Sequence, residues 1–251
     1  MGRGRFVAAA LAAGALLATA GCAVMRPSPF AGGHGALVLA FDGNKFPSWK
    51  SALELFGRYD ARVTFFISGR INRSVASQLH VLTDAGHSIG LGGIHRHDPT
   101  EQMPIVGKET FYQSEILPQV LQCREFELPV RTFAYPAEKH SQETDDFLFG
   151  KRFSVLLADA ADGDIFVPVG KLVSGRCLMK AVRISDKNRQ VALEPLKLAL
   201  RRCAERNEAI AIVAKDIELY PKKDGVSTAM LAELLALAKE LGVAVVGLND
   251  I

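Results

Sequence analysis

Residues 36–41 read ALVLAF, six apolar residues in a row between Gly35 and Asp42-Gly43. A continuous apolar run of this length, without polar alternation, is the pattern of a strand covered on both faces, as in a parallel sheet flanked by helices. The flanking sequence supports that reading. SWKSALELFGRY (48–59) carries helical spacing at Trp49, Leu53 and Phe56, with Ser48 placed to cap it. ARVTFFISG (61–69) is strand-like, RSVASQLHVLTDAG (73–86) is a helix closing on glycine, and HSIGL (87–91) is a short strand. Further on, TFYQSEILPQVLQC (110–123) predicts a helix disturbed by Pro118. VRTFAYP (130–136) and RFSVLLA (152–158) predict strands around a helix at 141–150, and AVRI (181–184) a further short strand. A helix over 191–207, a strand over 209–214, a helix over 227–242 and a last strand over 243–248 complete the chain. Strand and helix alternate throughout, which predicts an α/β fold with a parallel sheet. Seven or eight strands over about 215 residues suit a single barrel-like domain, here residues 35–251. Residues 159–180 show no clear period and read as a loop or short insertion.

The composition bounds the function. In 251 residues, 49% are hydrophobic and 23% charged, which is enough apolar material for one large core. The formal charge of +3 includes Arg3 and Arg5; without residues 1–21 the count is 28 basic against 27 acidic. No clustered basic face is visible, so nucleic acid is not an expected partner. The N-terminus carries a positive MGRGR, then FVAAALAAGALLATA, 15 apolar residues that are short for a membrane span and fit a secretory signal. AGC at 20–22 resembles the lipobox of bacterial lipoproteins, with Thr19 where an aliphatic residue is more usual. This predicts a signal peptide over 1–21, lipid on Cys22 and a tether over 22–34, and so an exported protein anchored in the bacterial cell envelope. Removal without lipidation is the simpler alternative. Cys123, Cys177 and Cys203 remain, an odd number that cannot all pair, and no CxxC occurs.

In parallel α/β sheets the chemistry sits at the carboxyl ends of the strands. The candidates are therefore Asp42, the loop 91–98, Tyr135-Pro136, the loop after 158, and Lys215-Asp216. The bland reading makes Asp42 and Asp216 caps of the following helices. In GHSIGLGGIHRHDP (86–99), His95 and His97 are candidate metal ligands, and the competing reading is a polar loop that contains two histidines.

Four motifs now stand in order: ALVLAFDG, ARVTFFISG, AGHSIGLGGIHRHDP and FAYPAEKHSQET. Together they resemble the successive motifs of the polysaccharide deacetylases that share the NodB homology domain (carbohydrate esterase family 4), whose pattern runs roughly TFDDG, ATFFxxG, GHEIGNHTxSHP and FAYPYG. The resemblance spans about residues 35–251. It implies a single distorted (β/α)7–8 barrel and metal-dependent removal of N- or O-acetyl groups from chitin-like, peptidoglycan or exopolysaccharide chains. In such chemistry a divalent metal polarises the carbonyl and activates water, a carboxylate takes the proton, a histidine protonates the leaving group, and backbone N–H groups hold the oxyanion.

Carried over residue by residue, the resemblance places Asp42 on the catalytic base and Gly43 on the family's metal-binding aspartate. The two metal histidines fall on Gly92 and Arg96, or, with one inserted residue, on Gly93 and His97. Ala134 replaces a base-orienting arginine. Ala137 falls where a backbone N–H contributes to the oxyanion hole, and Tyr135 and Pro136 fall in the substrate loop. Lys215 or Ala214 stands where the acid histidine belongs, while His87 matches a mostly structural residue. Two readings follow. One is a catalytically impaired, glycan-binding lipoprotein needing no cofactor, with glycan or exopolysaccharide chains, the membrane and envelope proteins as partners. The other is an active glycan N- or O-deacetylase with Asp42 as base, Lys215 as acid and a rebuilt zinc-type site at His95 and His97.

Overall fold

The computed structural model describes residues 34–136, 139–160, 164–221 and 225–251. The signal, Cys22 and most of the tether lie outside the described residues, as does Ala137. Eleven strands occur among those described: β1 (Ala36–Asp42), β2 (Thr64–Ile67), β3 (Ser88–Leu91), β4 (Val130–Ala134), β5 (Val155–Asp159), β6 (Val167–Pro168), β7 (Cys177–Arg183), β8 (Glu208–Ala214), β9 (Asp216–Glu218), β10 (Gly225–Ser227) and β11 (Ala244–Val245). Seven of them, β1, β2, β3, β4, β5, β7 and β8, run parallel in that order, and β8 pairs back onto β1 from Ala36↔Ala209 to Phe41↔Ala214. The sheet is thus a closed seven-stranded parallel barrel. The short β6 runs antiparallel along β8, and β9 pairs with β10 outside the barrel.

Alternation along each strand divides the core in two. Leu37, Leu39 and Phe41 of β1 and Ile210 and Ile212 of β8 face outward and pack with Trp49, Phe56, Leu79 and other helix residues. Ala36, Val38 and Ala40 face inward, with Ala209, Ala211 and Val213 of β8, Val155 and Leu157 of β5, and Met179 and Ala181 of β7. The small interior residues leave room for Phe66 and Met179 to fill the barrel. The same parity carries Asp42 to the rim of the interior.

The helices wrap the outside: α1 (Phe46–Ser51), α2 (Leu53–Arg58), α3 (Arg73–Asp84), α4 (Pro99–Val106), α5 (Lys108–Phe111), α6 (Leu117–Glu125), α7 (Gln142–Gly150), α8 (Val169–Val173), α9 (Arg189–Arg206) and α10 (Thr228–Glu240). Between α5 and α6 the chain makes one π turn, Tyr112–Ile116. Pro118 explains it: the ring has no N–H to give and displaces the carbonyl four residues back, so a wider turn absorbs the break. No helix of the described residues is long and apolar enough to cross a membrane.

Several expectations need correction. The stretch 159–180 is not plain loop; it holds β6, α8 and the start of β7. In β7 buried Cys177, Met179 and Ala181 alternate with half-buried Leu178, Lys180 and Val182, and Lys180 broke the apolar run that a buried strand would show. The first helix begins at Phe46, without a side-chain cap, so Ser48 lies inside it. The helix α4 was missed: Asp98 caps it by accepting from the Thr100 N–H at 2.8 Å, with Pro99 in the first turn. The last strand shrinks to β11 because the chain then turns across the amino end of the barrel. There the Val246 N–H donates to Leu37 O (3.0 Å) and the Leu248 N–H to Thr64 Oγ1 (3.0 Å). Asn249 closes the end, donating to Ile89 O (3.0 Å) and Pro129 O (2.8 Å) and accepting from the Arg131 N–H (3.3 Å).

His87 is a packed histidine, as expected. Its Nδ1 accepts from the Val63 N–H at 3.2 Å, and its ring meets Phe56 and Phe65 edge to face. Burial, aided by Arg62, lowers its pKa to about 4, so it is neutral in the fold. The three remaining cysteines are buried and free, and burial pushes the thiols of Cys123 and Cys203 up to about 12.

Candidate functional site at the carboxyl end of the barrel

Asp42 ends β1 and is 6% exposed. It does not cap a helix. Its Oδ2 faces two guanidinium groups, Arg183 Nη2 at 3.5 Å and Arg96 Nη2 at 3.6 Å, while Oδ1 is buried without a hydrogen-bond partner among the described residues. Arg183 is the last residue of β7, on the inward parity of Met179 and Ala181. Arg96 reaches Asp42 from the loop after β3. Its Nη1 donates to Ser68 Oγ at 3.0 Å and its Nη2 to Pro136 O at 3.4 Å, so one side chain ties the ends of β2 and β4 to Asp42. Arg96 adopts φ +62, a left-handed conformation that costs a non-glycine residue about 1 kcal/mol. The cleft beside Asp42 is lined by Phe66, Ala134, Tyr135, Leu157, Ala158, Ala181, Arg183 and Val213, a mostly apolar wall with charge at one side.

The reversal at Arg96 turns its two neighbours the other way. The N–H groups of His95 (2.8 Å) and His97 (3.1 Å) both donate to Glu115 Oε1, a carboxylate in a backbone nest. Glu115 Oε2 lies 2.9 Å from His95 Nδ1 and 3.6 Å from His97 Nδ1, and the imidazoles stack with centroids 5.3 Å apart. Glu115 sits in the π turn and is 1% exposed. Gly93 makes room for it: at φ +87, a Cβ there would stand 2.6 Å from Glu115 Oε1. Gln119, one turn on, accepts from the Gly93 N–H (3.0 Å) and donates to Gly69 O (2.8 Å).

Residues 31–148 match the sequence profile of the polysaccharide deacetylase family. Solved structures of similar fold include one from Mycobacterium smegmatis assigned to the polysaccharide deacetylases (TM-score 0.56, 14% identity, covering 86% of this chain and 88% of that one). A second is the chitin deacetylase of Colletotrichum lindemuthianum (TM-score 0.54, 13% identity, 86% of each chain). Residues 31–148 thus carry a polysaccharide deacetylase domain match, and the barrel has the NodB-type (β/α)7 fold. A third similar structure, a PuuE allantoinase (TM-score 0.55, 14% identity, covering 88% and 90%), carries a different activity in its name, so the shared fold does not fix the reaction. No curated protein matches the sequence.

Polysaccharide deacetylases are generally metal-dependent, and the two carboxylates differ in whether they fit a metal. Around Asp42 the neighbouring donors are guanidinium nitrogens, which stay protonated and cannot ligate. Around Glu115 the donors are two imidazoles and a carboxylate, whose ligand atoms all lie within 4.8 Å of one another. The loop thus divides its side chains: Arg96 goes to Asp42, and His95 and His97 go to Glu115.

Other expected residues separate by role. Tyr135 packs outward under α7, where its hydroxyl donates to Asp145 Oδ1 at 2.5 Å. Burial and that carboxylate raise its pKa, and the residue also borders the cleft beside Asp42. Pro136 contributes a carbonyl to Arg96. Lys215 follows β8, and its own carbonyl accepts from Trp49 Nε1 at 3.0 Å. A cation that faces Asp42 from the neighbouring strand β7 is Arg183. Asp216 caps no helix; it joins Ser48 and pairs with Lys45 at 3.6 Å. Sequence reasoning missed Arg183 and Glu115.

Proposed function

We propose that this protein is an exported, lipid-anchored member of the family that binds carbohydrate at the carboxyl end of its barrel without metal-dependent deacetylation at Asp42. One observation carries the reading: Arg96, which stands where the ungapped resemblance puts a metal histidine, reaches Asp42 together with Arg183, so guanidinium groups fill the place beside the carboxylate where the chemistry would need a metal-bound water. The two guanidinium groups oppose a divalent cation beside Asp42 by repulsion and by volume. The same groups offer forked donors to hydroxyl and carboxyl oxygens of a sugar, and the apolar wall of Phe66, Ala134 and Leu157 suits a ring face or an acetyl methyl. Anchoring through Cys22 would hold the domain close to envelope glycans and to envelope proteins.

The test is calorimetric titration of the protein with acetylated glucosamine oligosaccharides and exopolysaccharide fragments, beside an assay for released acetate. Binding without turnover is expected, weakened in Arg96→Ala. Absence of binding to every glycan would contradict the carbohydrate reading, and acetate release would contradict catalytic silence.

A second reading is supported by Asp42 Oδ1, buried and without a hydrogen-bond partner among the described residues. That oxygen could take a proton from a water in the cleft, making an active N- or O-deacetylase that uses Asp42 as base and a zinc ion held elsewhere on the loop. Acetate release abolished by Asp42→Asn would favour it.

A further inference from the structure

We propose that His95, His97 and Glu115 form a divalent-cation site of the zinc class that fastens the loop 92–98, separate from the cleft at Asp42. The inference does not depend on the glycan-binding reading, and its carboxylate comes from the π turn, not from a barrel strand.

Glu115 is a buried carboxylate whose ion-pair neighbours, among the described residues, are only the two histidines. A charge so placed is costly unless a cation or a set of hydrogen bonds offsets it. The backbone nest occupies Oε1, leaving Oε2 to the two imidazoles. Donors on a tetrahedral shell with bonds of about 2.0–2.1 Å lie about 3.3 Å apart. The observed separations from Oε2, 2.9 and 3.6 Å, bracket that edge. The remaining adjustment falls on imidazole rings whose side chains are 57% and 55% exposed, and which are free to rotate about Cα–Cβ. The rigid ligand is already fixed by the nest, by the π turn and by Gln119 on Gly93, so a cation would order only the histidines. Two imidazoles and a carboxylate suit zinc, cobalt or nickel, with the outer face open for a water. Because Arg96 lies between the two ligands, an ion here would also fix the arginine that covers Asp42.

The protein is stripped with chelator, titrated with cobalt while the d–d absorption is followed, then loaded with zinc, desalted and analysed for metal. About one equivalent is expected, lost in His97→Ala and Glu115→Gln and retained in Asp42→Asn. His97→Ala alters a half-exposed ring and keeps the test valid if Glu115→Gln does not fold; circular dichroism checks both. No retained metal, metal that survives loss of His97, or metal lost in Asp42→Asn would overturn the proposal.

Discussion

The two ends of the barrel are built on different terms. At the amino end, Thr64 and Ser88 accept from the backbone of the crossing C-terminal segment, and the Asn249 side chain of that segment bridges the starts of β3 and β4. At the carboxyl end, Asp42 keeps one buried oxygen without a hydrogen-bond partner among the described residues, Arg96 holds a left-handed backbone, and a π turn pushes a carboxylate into the core. Unusual features occur at both ends, since Asp250 Oδ2 at the amino end is also buried without a hydrogen-bond partner among the described residues, and Asp60, Glu127, Arg152 and Asn207 take positive φ there. What differs is the charge: the amino, lower end is tied mainly by side-chain bonds to backbone, whereas the carboxyl, upper end gathers Asp42, Arg96, Arg183, Glu115 and two histidines beside an open cleft, which is where a ligand would be met.

The largest expected effect lies at the lower end. His87 has a pKa near 4 in the fold against about 6.5 unfolded. Between those values the unfolded chain binds the extra proton, so stability is fully present above pH 6.5 and falls by about 3 kcal/mol as pH drops to 4. Chemical denaturation across that range should show this slope, and His87→Gln should flatten it; an unchanged slope would mean another group is responsible.

Next, Asn249→Ala removes three hydrogen bonds to backbone groups and should cost about 2 kcal/mol, or roughly 4–8 °C in melting temperature. A smaller shift would show that the C-terminal segment is held mainly by Leu248 and Val246.

At the upper end Gly93→Ala combines a positive φ with a Cβ 2.6 Å from Glu115 Oε1, for a cost of about 1–2 kcal/mol and a displaced Glu115. If the histidine–glutamate cluster is unimportant to the loop, the change should be no larger than the backbone strain alone.

The smallest stability effect should come from Arg96→Gly. Relief of about 1 kcal/mol of left-handed strain offsets the lost contacts, so folding stability should move by less than about 1 kcal/mol. Glycan affinity should nonetheless fall about tenfold or more, because this side chain spans the cleft. Equal losses in both would erase the distinction between the two ends.

How much of this was legible in sequence follows from where the partners lie. The strands β1, β5 and β8 are largely apolar runs, β2 and β4 carry theirs in TFFI and TFA, and the motifs around Asp42 and the histidine loop are local, so both barrel and rim could be read. Of β7 only the end, at 181–184, could be read, because Lys180 interrupts the apolar run before it. The helix α4 could not be read: Pro104 and weak periodicity hide a helix that Asp98 starts. Arg183 meets Asp42 across 141 residues of chain, a pairing only barrel closure creates. Glu115 stood inside a helical pattern as an unremarkable polar residue; its burial needs the π turn at Pro118 and the missing side chain at Gly93. Lys215 was placed by resemblance to the family, which gave no signal for Arg183 on the neighbouring strand.

The central claim, that guanidinium groups rather than a metal answer the charge of Asp42, is tested most directly by acetate release from acetylated glycans. The protein would be assayed after chelation and again after reloading with zinc or cobalt. The account predicts no acetate release in either state, with glycan binding retained in both. Turnover that appears with metal and vanishes in Asp42→Asn would contradict it.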